Sequence, residues 1–289
     1  MDDEKDTRPP HKGIKKGLYV IPTLFTAANV GMGFLAVLWS VRGFHAAVTD
    51  PTTSSVYFDH SAIAIGLAIL FDTLDGRVAR ATRTATEIGV QFDSLADVLT
   101  FGIAPTALVF AWAVAPTFHE GSPAYNTGVL LLFMYLMCGA FRLARFNLQA
   151  TRPRVLAEGT PKVDKKNFVG LPIPPAGGLL AAIVHFSPEP LNFYGPETSR
   201  YYTILIYCLV AVLSILMVSK IRYSSMKTLG SRRTNFMMLL GLVAMGMAVW
   251  LYSGYALLAI SVVYVGHGLV WWLARALFTK RSATASSTI

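Results

Sequence analysis

Long apolar stretches alternate with short polar connections along most of the chain. Eight of these stretches have about the 17 to 25 residues that a helix needs to cross a bilayer. They lie near residues 18–41, 60–80, 92–115, 126–148, 170–187, 201–221, 235–252 and 254–278. The pattern therefore predicts an all-α, polytopic integral membrane protein with about eight transmembrane helices.

Composition agrees with a membrane protein and excludes an ordinary soluble domain. Of the 289 residues, 54% are hydrophobic and 14% are charged, and the mean hydropathy is +0.50. Soluble domains carry about 25% charged residues. We expect an N-terminal tail over residues 1–17, a transmembrane domain over 18–279 with its core at 60–223, and a C-terminal tail over 280–289.

The basic residues are distributed unequally between the two sides of the predicted bundle. Of the 25 Lys and Arg residues, 23 fall in or near the two tails and the connections after the second, fourth and sixth predicted spans, which lie on the same side as the tails. Arg42 and Arg200 fall on the opposite side. Because cytoplasmic loops carry the excess of Lys and Arg, we predict an inner-membrane protein with both termini in the cytoplasm. The net charge of +9 is then explained by topology and by attraction to membrane phospholipids, and nucleic acid is not expected as a partner.

Four acidic side chains fall inside the predicted spans. Asp72 and Asp75 lie near the end of the second span, and Asp93 and Asp97 lie near the start of the third. The other 12 acidic residues are expected in tails, turns or loops. An ionised aspartate at membrane depth costs about 2.5 to 3.5 kcal/mol on insertion scales, so such residues usually mark a functional site.

The spacing of the four aspartates predicts that they converge. Asp72 and Asp75 are three residues apart, and Asp93 and Asp97 are four apart, so each pair shares one helix face. A chain reversal near Thr84 would bring the two pairs together at matching depth. Oxygen ligands without a nearby His or Cys favour hard divalent cations, so the cluster is predicted to bind Mg²⁺ or Mn²⁺. The alternative is a set of structural salt bridges with Arg77, Arg80 and Arg83.

Small residues beside the aspartates leave room for a ligand. Gly76 follows the second aspartate directly, and Ala79 lies about one turn further, which would open a groove where a bulky group reaches the backbone. Arg80 would then face this groove, and a guanidinium there is suited to phosphate oxygens. Gly89, one turn before the third aspartate, again removes a side chain.

Together these residues resemble the complete signature of the CDP-alcohol phosphatidyltransferase family. From Asp72 to Asp97 the chain carries D-x-x-D-G-x-x-A-R, eight residues, and then G-x-x-x-D-x-x-x-D. The resemblance implies a transmembrane catalytic domain of that fold, which moves a phosphatidyl group from a CDP-linked lipid to an alcohol and releases CMP. It also implies divalent metals at the four aspartates, with Asp97 as the catalytic base. The CDP-lipid would be held by Gly76, Ala79, Arg80 and Gly89.

The first span carries a further candidate for nucleotide binding. The segment at residues 22–33 resembles a first-span pattern of the same family, and it contains Asn29. The resemblance implies that Asn29 reaches the nucleotide, and a structural hydrogen bond between helices is the alternative.

Three further segments indicate which alcohol is accepted. Residues 138–147, 168–176 and 218–223 resemble segments of phosphatidylserine synthases. This resemblance implies CDP-diacylglycerol as the donor and L-serine as the acceptor. The serine carboxylate needs a cation, and Arg142 and Arg145 lie at the predicted cytoplasmic end of the fourth span. The alternative for both arginines is that they anchor the helix at the interface.

The entry to the fifth predicted span is unusual for a membrane helix. Gly170, Pro172, Pro174 and Pro175 fall within six residues, and proline lacks the N–H that a helix interior requires. Irregular backbone is tolerated at membrane depth only where it lines a cavity or is buried in protein. We therefore predict a cavity at this point that holds serine.

Two other functions remain open from the sequence. The same reaction could use glycerol 3-phosphate, inositol phosphate or choline as the acceptor. A cation transporter that uses the aspartates as its ion site belongs to a different class. The family resemblance also implies a homodimer, and the sequence leaves the choice between an acyl and an isoprenoid lipid donor open.

Overall fold

The computed structural model describes residues 13–82, 87–151, 167–219, 221–224 and 245–268, most of which are helical. The helices named here, in chain order, are α1 (Gly13–Ala46), α2 (Pro51–Thr82), α3 (Glu87–Asp97), α4 (Ala104–Val109), α5 (Ala115–Thr117), α6 (Pro123–Thr151), α7 (Ile173–Phe186), α8 (Pro196–Val218) and α9 (Ser253–Gly268), and residues 245–251 before α9 are also helical. Two π-helical segments, Val98–Ile103 and Phe110–Val114, connect α3, α4 and α5. The third span is therefore one long helix with two wider turns.

Within the described ranges, five helical stretches are long and apolar enough to cross a membrane. They are Thr23–Ala46, Thr52–Val78, Ile88–Thr117, Pro123–Leu148 and Pro196–Val218. The predicted count of eight is not confirmed. The fifth and eighth predicted spans correspond to the shorter helices α7 and α9, and most of the seventh lies outside the described residues.

Small residues and buried hydroxyls hold α1 against α2. Ser61 donates a hydrogen bond to the Ala36 carbonyl at 2.8 Å, and Ser54 donates to the Gly43 carbonyl at 2.7 Å. Between helices in lipid, close packing of small residues and hydrogen bonds replace the hydrophobic driving force of water. The long α1–α2 pair is therefore a rigid support, and α2 carries two of the four aspartates.

Helix α2 begins with a complete N-cap. The Asp50 carboxylate accepts the backbone N–H groups of Thr52 and Thr53, and Pro51 fills the first helical position. The hydroxyl of Thr52, followed by that of Thr53, lowers the pKa of Asp50 to about 2. This cap lies at the opposite end of α2 from Asp72 and Asp75.

A polar link joins α9 to the rest of the bundle. The His185 ring at the end of α7 is 2.5 Å from the Asp59 carboxylate and 2.9 Å from the Ser253 hydroxyl. The prediction that Asp59 lies in a tail, turn or loop is wrong, because this residue belongs to the membrane-crossing part of α2. The Asp59 carboxylate is tolerated in this helix because the His185 ring of α7 supplies a polar partner for it.

The prediction of an all-α fold needs one correction. Two short strands, β1 (Asn167–Val169) and β2 (Arg222–Ser224), form an antiparallel ribbon with Phe168 opposite Tyr223. The prolines also differ from expectation, since Pro172 is the N-cap of α7 and Pro174 lies in its first turn. In the first turn of a helix the backbone N–H groups have no acceptor within the helix, so proline breaks no hydrogen bond there. The irregular backbone is therefore confined to the residues before α7.

The loop before α7 is pinned to the end of α8 by a glycine. Gly170 has φ +84°, its N–H donates to the Ile221 carbonyl at 2.8 Å, and the next N–H, of Leu171, donates to Leu216 at 3.0 Å. A Cβ at position 170 would collide with the Met217 carbonyl. The close approach of the two backbones therefore requires glycine.

We expect Gly170→Ala to lower the melting temperature much more than Gly121→Ala. Gly121 has a similar φ of +80°, and nothing lies within 4 Å of its Cβ position, so its alanine variant suffers only the backbone penalty of about 1–2 kcal/mol. The collision at Gly170 adds about 1–3 kcal/mol. Thermal unfolding of the detergent-solubilised variants measures the difference, and equal losses would contradict the role given to the Met217 carbonyl.

Candidate active site

The four aspartates predicted from the sequence lie on two helices that line one cavity. Asp72 and Asp75 come from the last third of α2, and Asp93 and Asp97 come from α3. Asp75 is 5% exposed and Asp97 is 8% exposed. Because each pair is separated by about one helical turn, both members face the same side of their helix.

The carboxyl groups converge. One carboxylate oxygen from each of Asp72, Asp75 and Asp93 lies within 4.8 Å of the other two. The side chain of Asp97 lies beside this group and interacts electrostatically with all three other aspartates. The convergence expected from the spacing is therefore present, with three carboxylates in one group and Asp97 beside it.

The donor set fits a divalent cation. Oxygen ligands lie about 2.0–2.6 Å from Mg²⁺ or Ca²⁺, so two ligands of one ion are separated by no more than about 4–5 Å. The oxygens of the three carboxylates lie within 4.8 Å of one another, close to this range, so small side-chain rotations would bring them onto one ion. Among the described residues that line the cavity, none is His or Cys, and an all-oxygen site favours hard ions such as Mg²⁺ and Mn²⁺. A cation would also relieve the repulsion between the clustered negative charges.

The cavity beside the aspartates has a volume of about 320 Å³. Helix α6 contributes Arg142, Phe146 and Asn147 to its wall, and the entry to α7 contributes Pro172 and Pro174. Of the three prolines at the entry to the fifth predicted span, Pro172 and Pro174 therefore border this cavity, and its occupation by serine stays a prediction. The space is acidic on one side and carries a guanidinium on the other, so it is suited to a ligand with groups of both charges.

The two predicted serine-binding arginines differ in position. Arg142 lines the cavity, is 8% exposed, and interacts electrostatically with Asp97. Its Nε is buried and has no hydrogen-bond partner among the described atoms. Arg145 is half-buried and is not among the residues that line the cavity. The geometry therefore favours Arg142 as the residue that faces a ligand.

The predicted CDP-lipid residues of the signature are only partly described. Gly76 lines the cavity next to Asp75, as a groove-forming glycine should. Gly89 lies on the exposed surface of α3, outside the described cavity wall. Ala79 and Arg80 belong to α2, but their side chains fall outside the described part of the structure. Their roles stay predictions.

Asn29 lies completely inside the protein. Its backbone carbonyl accepts a hydrogen bond from the Thr100 hydroxyl at 3.2 Å, which joins α1 to the helix that follows Asp97. Both atoms of its side-chain amide are buried without a hydrogen-bond partner among the described residues. Asn29 does not line the described cavity, so its predicted contact with a nucleotide stays untested.

The structure also adds residues that the sequence did not single out. Thr26, one turn before Asn29, donates a hydrogen bond to the Asp75 carboxylate at 2.7 Å. Asn147 donates to the Ser94 hydroxyl at 2.9 Å and links the two walls of the cavity. Thr26 lies in the segment at residues 22–33 that was singled out for Asn29, but nothing there marked its hydroxyl as a partner of an aspartate, and Ser94 had no signal beyond its place next to Asp93.

Comparison with known families shows to which family the chain belongs. Residues 19–215 match the CDP-alcohol phosphatidyltransferase family, a range that contains all four aspartates and the whole described cavity wall. The chain belongs to the CDP-alcohol phosphatidyltransferase family. The resemblance inferred from the signature is therefore confirmed. The family generally depends on divalent cations, in agreement with the carboxylate cluster of this phosphatidyltransferase.

Three relatives illustrate which members of the family this chain resembles. A CDP-diacylglycerol–serine O-phosphatidyltransferase of Helicobacter pylori (strain ATCC 700392 / 26695) is 29% identical over 89% of this chain and 92% of its own length. The enzyme of the same name from Bacillus subtilis (strain 168) is 29% identical over 72% of this chain and 91% of its own length. An archaetidylserine synthase of Methanothermobacter thermautotrophicus is 31% identical over 73% of this chain and 72% of its own length.

Proposed function

We propose that this enzyme transfers the phosphatidyl group of CDP-diacylglycerol to the hydroxyl of L-serine, which gives phosphatidylserine and CMP. The observation that carries the proposal is the buried Arg142, which lines the same cavity as the four aspartates and interacts with Asp97. A free amino acid brings a carboxylate for the guanidinium and an ammonium for the acidic wall. The names of the relatives support the same acceptor.

Asp97 is proposed as the base of the reaction. Its Oδ1 is buried and has no hydrogen-bond partner among the described atoms, so it is able to accept a proton from an alcohol in the cavity. As the serine oxygen forms its bond to the lipid-bearing phosphorus, the bond from that phosphorus to the CMP oxygen breaks. The serine proton passes to the Asp97 carboxylate, and CMP leaves with the electron pair.

The remaining aspartates are proposed to hold the divalent cofactor. Asp72, Asp75 and Asp93 would bind Mg²⁺ or Mn²⁺, with Asp97 next to them. Bound cations would neutralise the pyrophosphate and stabilise the attacking and leaving oxygens. Gly76 lets the phosphates approach the backbone of α2, and Arg80 offers a guanidinium for their oxygens. Ala79, Gly89 and Asn29 are proposed as further contacts of the CDP-lipid.

We expect Arg142→Gln to raise KM for serine about 10- to 100-fold. A hydrogen bond to a charged partner contributes about 1.5–3 kcal/mol, and each 1.4 kcal/mol corresponds to a factor of ten. Arg145→Gln is the matched control because it removes the same charge outside the cavity wall. Initial rates of CMP release at varied serine measure both variants, and an equal increase in KM for the two would contradict the assignment.

A panel of substrates tests the function. Purified protein is given CDP-diacylglycerol, Mn²⁺ or Mg²⁺, and one alcohol at a time, and CMP release is measured. Release with serine alone is expected. Release with glycerol 3-phosphate, inositol phosphate or choline instead would replace serine as the acceptor. Membership of a transferase family argues against a cation transporter, and the absence of CMP release with every alcohol and both metals would reopen that alternative.

One observation supports a second lipid donor. The archaetidylserine synthase that resembles this chain is named for a product with a different lipid part, so CDP-archaeol belongs in the same panel. A higher kcat/KM with CDP-archaeol than with CDP-diacylglycerol would make the isoprenoid lipid the preferred donor.

The membrane orientation is also a proposal. The 23 of 25 basic residues on one side support an inner-membrane enzyme with both termini and the active site facing the cytoplasm. Both the nucleotide-activated lipid and serine would then be reached from the cytoplasm. The homodimer implied by the family resemblance stays a prediction.

A further inference from the structure

We propose that Thr26 is a positioning residue that holds the Asp75 carboxylate in the orientation required for cation binding. This inference rests on the proposed function and adds a residue of α1 to the machinery. The Thr26 hydroxyl donates to Oδ2 of Asp75 at 2.7 Å, although the two residues are 49 positions apart. Both side chains are almost fully buried, with 6% of Thr26 and 5% of Asp75 exposed.

The contact restricts the carboxylate without consuming its capacity to bind a metal. A carboxylate has about four lone-pair positions, so the hydrogen bond from Thr26 to Oδ2 occupies one of them and does not by itself prevent cation binding. Thr26 does not line the described cavity, whereas Asp75 does, so the hydroxyl acts through Asp75 and not on a substrate. Partners of metal-binding carboxylates fix the orientation of the ligand, and their removal typically costs about 10–100-fold in metal affinity or activity.

Helix α1, which carries Thr26, contacts both the helix that carries Asp75 and the segment that follows Asp97. Thr26 reaches Asp75 on α2, and one turn later Asn29 accepts the Thr100 hydroxyl from the segment that follows Asp97. Another turn along α1, a Cβ at Gly33 would meet the Thr100 side chain at 2.5 Å, so the helices touch closely at this point. Helix α1 is therefore packed against both parts of the chain that carry the aspartates. This packing holds Thr26 in place, and its hydrogen bond in turn holds the Asp75 carboxylate.

The decisive experiment compares Thr26→Val with Thr26→Ser in the full-length protein. Valine keeps the shape and removes the hydroxyl, whereas serine keeps the hydroxyl and removes the methyl group. Electron paramagnetic resonance of free Mn²⁺ gives the dissociation constant for Mn²⁺ alone. We expect Thr26→Val to raise this constant about 10–100-fold and Thr26→Ser to restore affinity close to wild type. The Mn²⁺ concentration for half-maximal CMP release should rise in parallel, while KM for serine stays unchanged.

Thr203→Val is the matched control. Thr203 is a fully buried threonine on α8 whose hydroxyl donates to the Ser199 carbonyl at 2.8 Å, away from the cavity. Its loss should leave the Mn²⁺ affinity unchanged. Wild-type affinity in Thr26→Val, or failure of Thr26→Ser to restore it, would overturn the proposal. If valine prevents folding, Thr26→Ala removes the same hydroxyl without steric conflict.

The same titration separates this inference from the proposed function. If the wild-type protein binds Mn²⁺ but releases no CMP with any alcohol, the proposed reaction fails while the comparison between Thr26→Val and Thr26→Ser still decides the role of Thr26. If the acceptor panel succeeds and Thr26→Val binds Mn²⁺ like wild type, only the positioning role is wrong.

Discussion

Replacing Asp97 by asparagine is expected to lower kcat for CMP release about 10²- to 10⁴-fold, the contribution typical of a general base. The substitution keeps the shape of the side chain but removes the group that accepts the serine proton. Asp97 lies at the end of α3, almost fully buried, with Oδ1 free of hydrogen-bond partners among the described residues. Initial rates at saturating serine and Mn²⁺ measure the effect.

Asp50→Asn is the matched control for the Asp97 variant. Asparagine is as good an N-cap as aspartate, so this change also removes one carboxylate but does so at the far end of α2. We expect wild-type kcat from the control. Thermal unfolding of both variants in detergent checks that they are folded. Substantial turnover in Asp97→Asn would remove Asp97 from the role of base.

The second large effect is expected from Asp93→Asn, which should abolish measurable Mn²⁺ binding in the micromolar range. Asp93 belongs to the group of three carboxylates within 4.8 Å, so its loss removes a direct ligand. Removal of a residue that only hydrogen-bonds to a metal ligand lowers metal affinity about 10–100-fold, and the loss of a direct ligand should lower it further. CMP release should fall with it, because the pyrophosphate would lose the cations that neutralise its charge.

The comparison of Asp93→Asn with Asp97→Asn separates the two roles. Asp97 lies outside the group of three carboxylates, so its variant should retain much of the Mn²⁺ affinity while losing turnover. Isothermal titration with Mn²⁺ and the CMP assay, applied to the same preparations, measure both quantities. Undiminished Mn²⁺ binding by Asp93→Asn would contradict the proposed cation site.

The aspartate cluster could be predicted from the sequence because its geometry is mostly local. Spacings of three and four residues fix which side chains share a helix face, and a short connection between the helices brings the two faces together. The apolar context added the second clue, since a carboxylate at membrane depth is unfavourable unless it has a function. These signals lie within 26 consecutive residues, from Asp72 to Asp97.

The residues around the cluster were harder to predict because their contacts are distant in the chain. The sequence offered Arg142 and Arg145 as equivalent candidates, and only the direction in which α6 faces the cavity separates them. The Thr26–Asp75 bond depends on how α1 crosses α2, which no local spacing encodes. Asp59 was wrongly expected outside the helices. Its partner, His185, lies 126 positions away in the chain, so no local pattern indicated that this carboxylate would be paired inside the bundle.

The sequence by itself determined the class of membrane protein, the five long apolar helices found among the described residues, the four aspartates and the family, because these depend on hydropathy and on spacings within one or two helices. The tertiary structure decided which arginine faces the cavity, which hydroxyl holds Asp75, and that the chain before α7 pairs with Arg222–Ser224 as a short ribbon. Those features arise where helices far apart in sequence pack together. Their physical cause is the need of each buried polar group for a partner, and the packing decides which partner is within reach.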